Sequence, residues 1–196
     1  PRLAKRLLKS IDNSLAKAKA IVIGDYGKGV VTQDYLDELK VLSKRHGVWL
    51  SLDPKPVHSL DLRGLSLITP NRKEAFELAD IDDSTYNANP VKDHNLMCVA
   101  RQLIGRLELK VLLITLGKLG MLVCQPGHKP FHIPTIAREV FDVSGAGDTV
   151  IGSFTLAIAA GASPIEAAIF SNHAAGVVVG KLGTATVTPR ELLASF

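Results

Sequence analysis

Cysteine is nearly absent from this chain. The two that occur, Cys98 and Cys124, form no C-x-x-C pair and sit near no histidine cluster. That excludes a disulfide framework and a thiolate zinc site, and it suits a reducing, cytoplasmic setting. Aromatic residues make up only 5% and do not interleave with Lys or Arg, so no stacking platform for single-stranded nucleic acid is expected. Charge of one sign is also scarce, the formal net charge being +4 over 196 residues. Lys5, Arg6, Lys9, Lys17 and Lys19 are spread along one early helix, which reads as a solvated face; neither nucleic acid nor a membrane surface is expected as a partner. No apolar run is long enough to cross a bilayer. The least polar stretch, 150–170, is broken by Ser153, Gly161, Ser163, Pro164 and Glu166, so two buried helices are expected there. The chain opens at Pro1 on a charged amphipathic segment with no secretory-signal pattern. His58, His128 and His132 lack metal-ligand spacing, and His173, among Ala and Gly, reads as a core histidine.

What is present is an ordinary globular balance of 46% hydrophobic and 21% charged residues, enough for one sizeable core. Short apolar runs alternate with helical periodicity. Helices are expected over Leu3 to Ala18, from a Thr32 cap to about His46 with Gly47 as the stop, from Asn71 through Leu78, and over Asn95 to Leu107. Further helices are expected over Gly145 to Ala160, Ser163 to Gly180, and after Thr188-Pro189. Strands are expected over Ala20 to Gly24, Val48 to Leu52, Leu65 to Thr69 and Lys110 to Thr115. Met121 to Gln125 and Lys129 to Ile133 form a hairpin pair around Pro126-Gly127, and the polar stretch Asp80 to Asp93 reads as a loop. The alternation implies an α/β fold with a mostly parallel sheet, helices on both faces and right-handed crossovers. No linker divides the chain into two domains.

In open α/β sheets, ligands gather beyond the carboxyl ends of the strands. Three polar or glycine-containing segments fall there: Asp53-Pro54-Lys55, Thr69-Pro70-Asn71-Arg72-Lys73-Glu74, and Thr115-Leu116-Gly117-Lys118-Leu119-Gly120. A fourth, Asp142-Val143-Ser144-Gly145-Ala146-Gly147-Asp148-Thr149, is a small-residue turn opening an apolar helix. Glycines there let backbone N–H groups approach a ligand, and the helix dipole favours an anion. A carboxylate at Asp148 beside such an anion hole can accept a hydroxyl proton while the amides stabilise a transferring phosphoryl group. The same turn also reads as a helix cap with Asp148 complementing the dipole. Asn71 and Glu74 also read as a capping box, Lys55 as part of a surface turn, and Asp25 with Lys28 as a solvated loop. No G-x-x-x-x-G-K-[ST] loop occurs. The dinucleotide fingerprint lacks its third glycine, since position 150 is Val150, which sets a dehydrogenase aside.

Asp142-x-Ser-Gly-Ala-Gly-Asp148, followed by Thr149 and a long apolar helix, resembles the C-terminal signature of the ribokinase-like (PfkB) carbohydrate kinases. Within that family, four segments resemble the kinase domain of bacterial heptose-phosphate kinase/ADP-heptose synthases. They are Gly24-Asp25-Tyr26-Gly27-Lys28-Gly29, Asp53-Pro54-Lys55, Thr69 to Glu74, and Ala174 to Thr184. The resemblance covers nearly the whole chain and implies a ribokinase-like fold. It implies ATP and a sugar phosphate as small-molecule partners and transfer to the anomeric hydroxyl of D-glycero-D-manno-heptose 7-phosphate. Asp148 then corresponds to the catalytic base, and Gly145, Ala146 and Gly147 to the anion hole. Asn71, Arg72, Lys73 and Glu74 correspond to an ATP and magnesium contact, with Glu74 reaching Mg2+ through water. Thr115, Gly117 and Gly120 correspond to the nucleotide-binding strand end, and Asn172, Ala175 and Gly176 to the adenine pocket. Asp25, Lys28, Asp53 and Lys55 would then approach the sugar phosphate. Asp142, with carbonyls from the loop after Val179, is a candidate site for a monovalent cation such as K+.

Kinase domains of this family normally begin earlier. Residues 1–196 are therefore expected to be the C-terminal portion of a single kinase domain, without the first strands and the β lid through which such proteins dimerise. The nucleotidyltransferase domain that follows in the parent type is also outside this sequence. Without a lid, water exclusion would be poor and ATP hydrolysis would compete. The rival expectations are another sugar or nucleoside kinase of the same family, or a nucleotide-binding module without catalysis.

Overall fold

The computed structural model describes residues 2–55, 60–137 and 140–196, and His58 lies outside them. Helix α1, Arg2–Leu15, leads into strand β1, Ala20–Gly24. Helix α2, Gln33–His46, starts where Thr32 Oγ1 accepts from Tyr35 N and stops where Gly47 turns left-handed at φ 65°. Strands β2, Trp49–Asp53, and β3, Leu67–Ile68, follow. Next come α3, Arg72–Ala79, and α4, His94–Leu107, which starts on an Asp93 cap. Strand β4, Val111–Thr115, continues into the antiparallel β5, Met121–Cys124, and β6, Phe131–Ile133. Three helices close the chain: α5, Ala146–Ala159, α6, Pro164–Val179, and the short α7, Pro189–Leu193. The loop expected over Asp80 to Asp93 holds a single 3-10 turn at Pro90–Lys92.

The strands form one six-stranded sheet in the order β1-β2-β3-β4-β5-β6. The first four are parallel in register, with Gly24 opposite Asp53 and Leu52 opposite Ile68. A parallel run that advances in one direction with crossovers of one hand must put its crossover helices on one face. The core shows this. Leu36, Leu39 and Leu42 of α2, Phe76 of α3 and Leu96, Val99 and Leu103 of α4 pack together against Leu50, Leu52, Leu112 and Ile114. The alternate residues Val111, Leu113, Met121 and Val123 point the other way, onto Val150, Ile151 and Phe154 of α5 and Ala167, Ala168 and Ala175 of α6. Side chains alternate across a strand, so buried strands covered on both faces read as continuous apolar runs such as Val111-Leu112-Leu113-Ile114. Each such leucine, fully buried, contributes about 1.5–3 kcal/mol.

Helix α5 therefore crosses behind the sheet, touching both β1 and β2. One polar link fixes it: Ser51 Oγ of β2 and Thr155 Oγ1 of α5 lie 2.7 Å apart, both buried, and Trp49 Nε1 also donates to Ser51 Oγ at 2.9 Å. The N-terminus of α5 reaches the carboxyl-end side of the sheet, where β1 to β4 present their loops. His173 is only partly buried. It is covered by the C-terminal residues, with Phe196 stacked on its ring at 3.8 Å and Ser195 Oγ 3.1 Å from Nδ1. The expected core histidine thus holds the chain end against α6.

Candidate active site

A cleft of about 740 Å³ opens at the carboxyl ends of β2, β3 and β4 and runs to the start of α5. Its wall nearest the sheet carries Asn71, Arg72, Lys73 and Glu74, and Thr115, Gly117 and Gly120 follow from the end of β4. Asn71 and Thr115 are bridge partners in parallel register, which brings these two loops side by side. The opposite wall carries Asn172, Ala175 and Gly176 of α6. All the residues expected to contact a nucleotide therefore line one cavity. Sequence reasoning did not assign its apolar flank, made by Ala137, Val140, Val143, Val150 and Val179. The only sequence signal for that flank was the apolar character of these positions, which a core residue shares.

Local bonds set this geometry. Asn71 Oδ1 accepts from Glu74 N at 3.0 Å, and Glu74 Oε2 accepts from Asn71 N at 2.9 Å, so the capping box is present. The other carboxylate oxygen of Glu74 stays on the cleft side, where it accepts from Lys55 Nζ at 3.1 Å. Lys55 also approaches Asp53 Oδ2 at 3.5 Å, and Asp53 Oδ1 accepts from Thr69 Oγ1 at 3.2 Å. Burial pushes the Asp53 carboxyl above its ordinary range, with Lys55 pulling against it. Burial works against the Lys55 charge, but Asp53 and Glu74 together outweigh it and leave its pKa raised. The Asn172 amide donates to Pro134 O at 2.9 Å, which ties the 134–137 segment to α6. A Cβ on Gly176 would come within 2.8 Å of Ile136 Cγ1.

Arg72 and Lys73 line the cleft, and the Arg72 charge is already paired. The Arg72 guanidinium bonds Asp83 at 2.6 and 2.9 Å and Thr85 O at 2.6 Å, pairs with Asp93 at 3.0 Å, and lies 4.8 Å over the Phe76 ring. Lys73 Nζ turns toward Glu77 at 3.7 Å. The Arg72 charge thereby organises the 80–93 loop, while its side chain still lines the cleft.

The start of α5 differs from the starts of α2, α3, α4, α6 and α7. Those five have a side-chain oxygen on the first-turn amides, whereas Gly145 provides none and takes the left-handed conformation at φ 77°. Ala146 N bonds Val143 O at 3.2 Å and the first helical bond runs from Thr149 N to Gly145 O. Among the described residues, Gly147 N and Asp148 N have no side-chain acceptor. Ala146 and Gly147 form this end of the cleft. Orphan amides, a helix dipole and a concave approach make an anion cradle. Asp148 stands next in the chain, exposed, and Tyr26 Oη donates to its Oδ1 at 3.0 Å. That hydrogen bond is the main cause of a raised Tyr26 pKa. Tyr26 was not assigned a role from the sequence, and no local pattern signals a contact across 122 positions.

Asp25 and Lys28 are not brought into the cleft. Asp25 is 2% exposed; its Oδ1 accepts from Gly27 N at 2.9 Å and its N donates to Asp53 O. It braces the turn after β1, while Lys28 is exposed on that turn. Asp142 clasps two loops: Oδ1 accepts from Ser144 N at 2.8 Å and Oδ2 from Gly183 N at 3.1 Å. The bonds from Ser144, then Gly183, hold its pKa low. Val179 O already accepts from Phe141 N and Asp142 N. A cation there would take only the lone pairs left over. Among the described residues, no group of three His, Cys, Asp or Glu side chains makes a metal cage. The donor set suits a divalent ion carried by phosphates and water.

A cleft with an apolar flank, ending on an uncapped helix start beside a carboxylate, suits an anionic ligand. The chain belongs to the pfkB family of carbohydrate kinases, whose pattern matches residues 2–191. It is 43% identical over 186 residues to the bifunctional protein HldE of Pectobacterium atrosepticum, covering 95% of this chain and 37% of that protein. It is 41% identical over 191 residues to HldE of Desulfatibacillum aliphaticivorans, again covering 37% of the relative. The chain thus spans little more than a third of these relatives. In fold it is similar to Arabidopsis thaliana ribokinase complexed with ribose and ATP, with a TM-score of 0.79 at 21% identity over 95% of this chain and 58% of that one. It is also similar to Escherichia coli phosphofructokinase-2 in complex with potassium, with a TM-score of 0.77 at 19% identity over 95% and 60%. Among the described residues no helix is long and apolar enough to cross a membrane.

Proposed function

We propose that this chain supplies the nucleotide cleft and the general base of an ATP-dependent sugar kinase whose acceptor is the anomeric hydroxyl of D-glycero-D-manno-heptose 7-phosphate. The carrying observation is the uncapped start of α5, with free Gly147 and Asp148 amides at the end of the cleft and the Asp148 carboxylate beside them. The acceptor rests on the likeness of the strand-end motifs to heptose-phosphate kinases and on the identity to HldE proteins. In this reading residues 1–196 are the C-terminal portion of a kinase domain, and the rest of the acceptor pocket comes from outside them.

Adenine occupies the cleft between Gly176 and the apolar flank, and the phosphates run toward Gly147. The acceptor hydroxyl gives its proton to Asp148 while its oxygen bonds the γ-phosphorus. The bond from that phosphorus to the β,γ-bridging oxygen breaks, and ADP leaves. The amides at Gly147 and Asp148 stabilise the equatorial oxygens, so positioning and charge stabilisation carry the rate. Mg2+ bound with the nucleotide neutralises phosphate charge, and Glu74 and Asn71 would meet its water shell.

Asp148→Asn in the protein carrying this chain should lower turnover by about 10²- to 10⁴-fold and leave ATP binding by calorimetry nearly intact. Unchanged turnover in a coupled assay would overturn the base assignment. Equal or better turnover with other sugars or nucleosides in an acceptor panel would overturn the heptose assignment.

A further inference from the structure

We infer that Asn172 selects the base of the nucleotide: its side-chain carbonyl accepts from the exocyclic amino group of adenine and discriminates against a purine with an oxo group there. This rests on the reading of the cleft as a nucleotide site and names the base that the site takes.

Asn172 and Gly176 lie one turn apart on α6 and share a helix face. Both line the cleft. Asn172 is only 4% exposed, and further chain can only deepen that burial. Its Nδ2 donates to Pro134 O at 2.9 Å. Its Oδ1 has no donor among the described residues, yet it is not one of the fully enclosed polar atoms left without a partner. Oδ1 therefore keeps an opening, and the opening that Asn172 borders is the cleft.

The direction of this acceptor is fixed. Turning the amide over would set Oδ1 against Pro134 O, two acceptors with no proton between them, and would lose the bond. Pro134 O is itself held in place. The backbone around it packs on Gly120, where an added Cβ would stand 2.0 Å from Ile133 O and 2.6 Å from Thr135 N. On the helix side, Ser171 and Ala174 beside Asn172 are wholly buried. The base thus meets a preset acceptor rather than a rotatable amide.

Its neighbours do not duplicate it. Ala175, Gly176, Ala137, Val140 and Val179 bring no polar side chain to this part of the cleft. Thr135 also lines it and accepts from Ala137 N at 3.2 Å, but a hydroxyl turns to serve a donor or an acceptor. Only Asn172 Oδ1 demands a donor. The adenine amino group supplies one; an oxo group in the same place puts oxygen against oxygen. A 6-oxo purine could offer its ring N–H only by sliding along the wall, away from the position that phosphates at Gly147 set.

Inosine triphosphate differs from ATP at this edge alone and keeps the ribose and phosphates. In the protein carrying this chain, kcat/KM with ATP should exceed that with inosine triphosphate by about ten- to hundredfold. Asn172→Ala should shrink that ratio to about threefold or less, mainly by loss with ATP. Slack in the 134–137 segment would lower both nucleotides alike, so the ratio separates base selection from a structural role. Equal use of the two nucleotides by wild type overturns the inference, and so does a ratio that Asn172→Ala leaves unchanged. If Asn172→Ala does not fold, Asn172→Ser is held to the same ratio. Should wild type bind neither nucleotide by calorimetry, the nucleotide reading of the cleft fails and this inference with it. Binding of both with equal affinity sinks the base assignment alone.

Discussion

Lys55 Nζ lies 3.1 Å from Glu74 Oε1, while Glu74 Oε2 accepts the backbone N–H of Asn71. One carboxylate thus ties the end of β2 to the first turn of α3. Glu74→Gln keeps an acceptor for Asn71 N but removes the charge facing Lys55. It should weaken Mg-ATP binding by calorimetry with little change in melting temperature. Glu74→Ala loses the capping contact as well and should cost about 1 kcal/mol in denaturant unfolding.

Asp53 gives a pH signature. Its folded pKa is raised by burial, so the charged form is disfavoured in the fold. A raised acid pKa contributes stability below the unfolded value of about 3.9 and loses it as pH rises through the folded value. Asp53→Asn should therefore raise the melting temperature at neutral pH. The gain should vanish as pH falls below about 4. A gain that is constant across pH would show that the effect is not titration.

The Ser51–Thr155 bond anchors the helix whose start forms the anion cradle. Ser51→Ala leaves Thr155 and the Trp49 indole N–H without their partner in a buried place and should cost about 1–3 kcal/mol. Thr155→Val should cost less, because Ser51 keeps Trp49. A double-mutant cycle by chemical denaturation gives the coupling, and ATP affinity should fall with it if α5 shifts on the sheet.

Two glycines of the cleft separate fold from function. A Cβ on Gly120 would stand 2.0 Å from Ile133 O, with φ at +85°. Backbone cannot yield there, so Gly120→Ala should abolish soluble folded protein. On Gly176 the Cβ meets the Ile136 side chain at 2.8 Å, and that side chain can move. Gly176→Ala should melt close to wild type and lose nucleotide affinity. Expression with a thermal melt, followed by ATP titration, distinguishes the two.

Caps and strand ends were the most readable part of the sequence. Thr32, Gly47, Asn71 and Ser163 mark their helices in the structure as their residue types require, because a cap is a local bond within three or four residues. The residues predicted to contact the nucleotide share one cavity because each follows a strand or lies on α6, and the sheet order then juxtaposes them. Through-space choices were not readable. Arg72 pairs with Asp83 and Asp93, and only the path of the 80–93 loop brings those carboxylates to it. Asp25 and Lys28 looked alike as polar loop residues, yet one is buried and the other exposed. Tyr26 meets Asp148 only because β1 and α5 are packed against each other.

Asp142 holds Ser144 N of the loop before α5 and Gly183 N of the loop after α6 with the two oxygens of one carboxylate. The Gly183 bond is the link from this carboxylate to the loop after α6, so Asp142→Ala should raise amide exchange at Gly183.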